Sequence, residues 1–137
     1  MTIWDFSKRK SIAILVSFLA TFALSRLTVW LIDANIGTPV LGYNVVDQFH
    51  IHHFAYGIII LAITGFVALF IPDRRKRTLL FVAYGVGLGL IFDEFGIWLK
   101  LDPSYNQFIS IIAVFVISMM LLISALIEHE YRKLRKK

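Results

Sequence analysis

Four apolar stretches divide this chain: Ser11 to Ile32, Phe49 to Ile71, Thr78 to Leu101 and Phe108 to Ile127. Each approaches or exceeds the roughly 20 residues that an α-helix needs to cross the hydrocarbon core of a bilayer, and only short connections separate them. Four such segments use almost all of these 137 residues, so a soluble domain is not expected among them. The expected fold is therefore all-α, a single four-transmembrane-helix bundle over residues 1–137. Composition agrees, because 58% of the residues are hydrophobic and 17% charged, whereas soluble domains carry about 25% charged residues.

The basic residues then orient the bundle. Twelve of the 14 Lys and Arg residues lie in Lys8-Arg9-Lys10, in Arg74-Arg75-Lys76-Arg77 and in Arg132, Lys133, Arg135, Lys136 and Lys137, all flanking the same side of the expected helices. The connections 33–48 and 101–107 hold none. By the positive-inside rule the basic side is cytoplasmic, which gives a multi-pass cell-membrane protein with both termini inside. The net charge of +5 is accounted for by this rim. The terminal basic tail suits anionic inner-leaflet lipid, so membrane lipid is the expected partner and nucleic acid is not. A basic run before an apolar segment is also how a signal peptide begins. The first stretch exceeds the ~7–15 residues of a signal core and contains Arg26, so helix one is expected to stay.

Charge inside hydrocarbon is costly, at least about 2.5–3.5 kcal/mol for a residue at the bilayer centre, and it marks either pairing or function. Asp93 and Glu94 stand 15 and 16 residues beyond Thr78, roughly 22–24 Å up an ascending helix three. Arg26 is equally far above Ser11 on helix one. Helix two, descending, begins with Phe49-His50-Ile51-His52-His53-Phe54, so three of the four histidines belong to the same outer layer. On a continuous helix His50, His53 and Gly57 share a face, with Asp47 one turn earlier and His52 turned away. Gly85, Gly89, Asp93 and Gly96 form a stripe on helix three, which allows close helix approach and makes Asp93 interhelical. Glu94 points about 100° from Asp93, so one carboxylate is expected to serve a neighbour such as Arg26.

Two readings follow. In the first, His50 and His53 with one or both of Asp93 and Glu94, completed by His52 or Asp47, bind a divalent metal. Imidazole with carboxylate suits zinc or non-haem iron, and an open coordination position activates water. The protein is then a metal-dependent hydrolase for a lipid or lipid-linked substrate, with Glu94 or Asp93 as general base and Arg26 beside an anionic headgroup; metal-ion or proton binding and transport is the corresponding non-enzymatic function. In the second, Arg26 neutralises a carboxylate and the cluster fixes helix register in a non-catalytic subunit of a membrane complex. Cysteine is absent, so thiolate ligands and nucleophiles are excluded. Gly85-Val-Gly-Leu-Gly lacks the strand that a phosphate-binding loop follows. His129, in Glu128-His-Glu, sits at the opposite end of the bundle. Ser110, Ala113, Ser118 and Ser124 offer packing positions on helix four to a second copy.

The stretch His50-Ile-His-His-Phe-Ala-Tyr-Gly, with the later Ile-Phe-Asp93-Glu-Phe-Gly-Ile-Trp-Leu, resembles a group of small prokaryotic four-helix integral membrane proteins. These share a His-His-x-x-x-Gly stretch and a Leu-Asp-Glu-Phe-x-x-Trp-Leu stretch; Phe92 stands here in place of the usual Leu. The resemblance spans helices two and three and implies the same membrane architecture. It carries no activity with it.

Overall fold

The computed structural model describes residues 10–34, 45–46, 49–50, 52–70, 74–100 and 107–134. It consists of five helices and one small β-pair: α1 (Lys10–Asp33), β1 (Val45–Val46), β2 (Phe49–His50), α2 (His53–Phe70), α3 (Arg74–Asp93), α4 (Phe95–Lys100) and α5 (Gln107–Leu134). Three of these, α1, α2 and α5, are long and apolar enough to cross a membrane. The apolar part of α3, Thr78–Asp93, is shorter. Only 11–22% of the residues in the three long spans are buried within the protein. Leu24, Ile63, Phe66, Leu69, Phe115 and Ile127 are each more than half exposed. Such continuous apolar surface suits lipid and is rare on a water-soluble monomer.

Helix α3 is the centre of the packing, lying against both α1 and α2, while α5 lies against α1 and, less extensively, α3 and α4. Glycine makes the two main contacts possible. A Cβ at Gly85 would meet the Ser17 hydroxyl and fall 2.5 Å from the Ile14 carbonyl oxygen, and one at Gly89 would lie 2.6 Å from Thr21 Cβ. Two residues away, about 200° around the helix, Gly87 abuts Leu61, and Gly57 approaches the Gly87 carbonyl. Alternate glycines of α3 therefore serve opposite neighbours. The order of contacts also sets direction: Ile14, Thr21 and Arg26 meet Gly85, Gly89 and Asp93 in ascending register, so α1 and α3 run parallel. Phe54, Gly57 and Leu61 meet Glu94, Ile91 and Gly87, so α2 runs antiparallel to them. Under this layer Phe18, fully buried, packs edge-on to Phe92 with ring centroids 6.2 Å apart.

Two expectations about helix continuity need correction. The second helix begins at His53 rather than Phe49, because Phe49–His50 pairs antiparallel with Val45–Val46, His50 opposite Val45. The β-branched valines suit that extended pairing. His50 consequently does not continue the helical face of His53 and Gly57. The third helix does not run through to residue 101 either; it stops at Asp93, turns at Glu94 and restarts at Phe95. The fourth is longer than expected and reaches Leu134, carrying His129 in an exposed last stretch where Lys133 pairs with Glu130 at 2.8 Å.

The close crossing predicts a contrast between two glycines. Gly85→Ala must move the α1 backbone and should lower stability by about 1–3 kcal/mol. Gly65, whose Cβ would meet nothing within 4 Å, should accept Ala with no loss or a gain of up to about 1 kcal/mol. Thermal unfolding of both variants in the same detergent checks this.

Candidate functional site

At the C-terminal ends of α1 and α3 and the N-terminal end of α2, charged residues from all three helices come together. Arg26 Nε donates to Asp93 Oδ1 at 2.5 Å, and a second guanidinium nitrogen donates to the Asp93 backbone carbonyl. The Asp93 side chain is 1% exposed and that of Arg26 22%. The Arg26 guanidinium also lies over the Phe22 ring, one turn below it, 5.5 Å from the centroid. His53, from the first turn of α2, places Nδ1 3.8 Å from the second Asp93 oxygen, an ion-pair distance longer than a hydrogen bond. Asp93 is thus approached from α1 and α2 at once.

Glu94 forms a separate pair one residue later. Its Oε1 lies 3.2 Å from His52 Nδ1, and its Oε2 accepts the backbone N–H of Phe54 at 3.1 Å. That N–H is among the first four of α2, which have no partner within their own helix. A carboxylate there also meets the positive end of the helix dipole. Glu94 therefore caps a helix other than its own. The His52 ring stacks on Phe54, 5.9 Å between centroids and 17° from parallel, which fixes the imidazole from the other side.

The break at Glu94 follows from the same contacts. In an unbroken helix the Asp93 carbonyl would accept from Ile97, four residues on. Arg26 takes that carbonyl instead, and both Ile97 and Trp98 N–H donate to the Glu94 carbonyl, at 3.0 and 3.2 Å. The buried Gly96 N–H donates to Ser110 Oγ of α5 at 3.1 Å. The aromatic run Phe92, Phe95 and Trp98 bridges the break, with centroids 5.2 and 5.8 Å apart.

Of the residues singled out in the sequence, Arg26, His53 and Asp93 meet in one cluster and His52 and Glu94 in the next. Asp47 and the side chain of His50 lie outside the described residues. Among the described residues no three His, Asp or Glu side chains converge closely enough to hold a metal ion. Arg26 selects Asp93, and Glu94 goes to α2. Sequence reasoning missed Ser110 as a partner of this region: rather than facing a second copy, it is fully buried and accepts the Gly96 N–H. It also missed the capping of α2. The signal for it is the position of Glu94 opposite a helix start that has no acceptor of its own.

The buried pair predicts strong non-additivity. Arg26→Ala or Asp93→Ala alone leaves a charge in a water-poor layer and should destabilise by about 3–5 kcal/mol. The double variant should lose clearly less than the sum, as read from unfolding in a detergent titration. Glu94→Ala should cost about 1–2 kcal/mol, the range for a lost cap, and should speed amide exchange at Phe54 and its neighbours in the first turn of α2. No family model matches this chain, and no curated protein or solved structure does so either.

Proposed function

We propose that this protein is a four-span bundle with both termini cytoplasmic, in which α3 and α4 together make the third crossing, and that its outer His/carboxylate layer binds a divalent metal ion through histidine. The reading rests on one observation. Of two successive imidazoles, His52 presents Nδ1 to Glu94 at 3.2 Å, and His53 presents Nδ1 towards Asp93 at the longer distance of 3.8 Å. A carboxylate at Nδ1 favours the tautomer with its lone pair on Nε2 and raises the basicity of that nitrogen, as in the carboxylate–histidine pairs behind many protein metal ligands. In this reading the carboxylates orient the ligands rather than bind the ion. His50, with Asp47 before it in sequence, is the candidate to complete the set. Imidazole donors without thiolate suit zinc or ferrous iron.

The chemistry proposed for such an ion is water activation at an open coordination position, directed at a lipid or lipid-linked substrate reached from the bilayer. Glu94 is then the nearest carboxylate for proton transfer, and Arg26 the cation nearest an anionic headgroup. A transport role has less support, since below this layer α2 and α3 offer few polar positions beyond Thr64 and Tyr84.

A second reading is favoured by a specific contact. Arg26 engages both an Asp93 carboxylate oxygen and the Asp93 backbone carbonyl, an arrangement that fixes α1 against α3 without any ion. The protein is then a non-catalytic subunit of a membrane complex, its outer layer a structural clasp.

Metal analysis of protein purified without chelator separates the two. The metal reading expects stoichiometric zinc or iron in the wild type and loss of most of it in His52→Ala and His53→Ala, with the helical circular-dichroism signal retained. Equal metal content in all three proteins, or none in the wild type after incubation with zinc or iron, overturns it and leaves the clasp.

A further inference from the structure

Helix α3 is the least suited of the long helices to lipid. Its apolar part, Thr78–Asp93, falls below the length of the three membrane-crossing helices and covers roughly 24 Å at 1.5 Å per residue, against a hydrocarbon core of about 30 Å. It begins after four consecutive basic residues and ends at an acidic one. Three glycines along it, Gly85, Gly87 and Gly89, are buried against other helices. The polar group at its outer end, Asp93, is 1% exposed and held by a guanidinium from α1. α3 thus packs against α1 on one side and α2 on the other along its glycines, while Leu79, Val82 and Tyr84 keep an exposed face.

We infer that α3 is a conditional span: it inserts stably across the membrane only because α1 is already there to offer Arg26 to Asp93. Insertion of an ionised carboxylate in hydrocarbon is opposed unless a partner neutralises it. α1 precedes α3 in the chain and runs parallel to it, so Arg26 reaches the outer layer first and waits at the depth where Asp93 must stop. The contact then does two things. It removes the isolated charge, and by taking the Asp93 carbonyl it ends the helix at that depth, placing Glu94 over the start of α2.

The inference rests on the topology proposed above, with the connection between α4 and α5 outside, and the test separates the two. The chain has no cysteine, so Ser104→Cys in that connection supplies a single thiol. Intact cells, or spheroplasts where an outer barrier intervenes, are treated with a membrane-impermeant maleimide, with permeabilised cells as the reference. In the otherwise wild-type protein the thiol should be labelled from outside; labelling only after permeabilisation refutes the topology itself. With that established, adding Arg26→Ala should lower outside labelling about tenfold or more, because an unpaired charge at this depth outweighs the free energy of a tenfold shift. Arg26→Ala with Asp93→Leu should restore it, since no charge then needs a partner. Outside labelling unchanged by Arg26→Ala overturns the inference. Failure of the double variant to recover also overturns it, since Arg26 would then act other than by neutralising Asp93.

Discussion

The guanidinium of Arg26 on Asp93 is the contact on which this end of the helix bundle depends. An ion pair on a water-exposed surface contributes little, because solvent screens it and the side chains lose entropy. Here Asp93 is almost completely buried, and the pair is enclosed where α1, α2 and α3 meet. The pair also spends one donor on a backbone carbonyl that a helix would ordinarily keep for itself. That diversion coincides with the end of α3, where the Ile97 N–H donates to the Glu94 carbonyl, the Gly96 N–H to Ser110, and the Glu94 carboxylate meets the start of α2. Side-chain electrostatics and backbone geometry are one event at this point of the fold.

Two neighbouring carboxylates consequently do different work. Asp93 ties two parallel helices and draws His53 towards them. Glu94 satisfies the start of an antiparallel helix and orients His52. The histidines inherit defined directions from this division. Metal ligation is a chemistry that such directed imidazoles are suited to, and a charge-neutral clasp is what remains without it. Both readings require the same geometry of α1, α2 and α3, which is why they differ in what the site holds rather than in how it is built.

Much of this was legible in the sequence, and the legible parts are those fixed by length and depth. Counting 1.5 Å per residue from the basic rim puts Arg26, Asp93 and the His52–His53 pair at one level, where the structure brings them together. The glycine stripe of α3 correctly marks an interhelical Asp93. What local pattern could not give was competition between distant groups. Nothing in Phe92-Asp93-Glu94-Phe95 announces a helix break, because the cause is a guanidinium 67 residues earlier in the chain. The start of α2 was misplaced for a related reason: Phe49–His50 is apolar enough to extend the helix, but its backbone pairs with Val45–Val46 instead. Gly87 stands outside the stripe of Gly85 and Gly89, and its place half a turn away gives it a different neighbour, α2.

The glycines on both contact sides of α3 carry a further consequence, one of thickness. Packed helices ordinarily stand 8–10 Å apart, depending on the side chains between them, and glycine brings them towards the lower end of that range. A helix stripped of bulk on two opposite sides acts as a thin spacer between its neighbours. Only across so narrow a partition can an arginine on one flank and a histidine on the other reach for a single carboxylate.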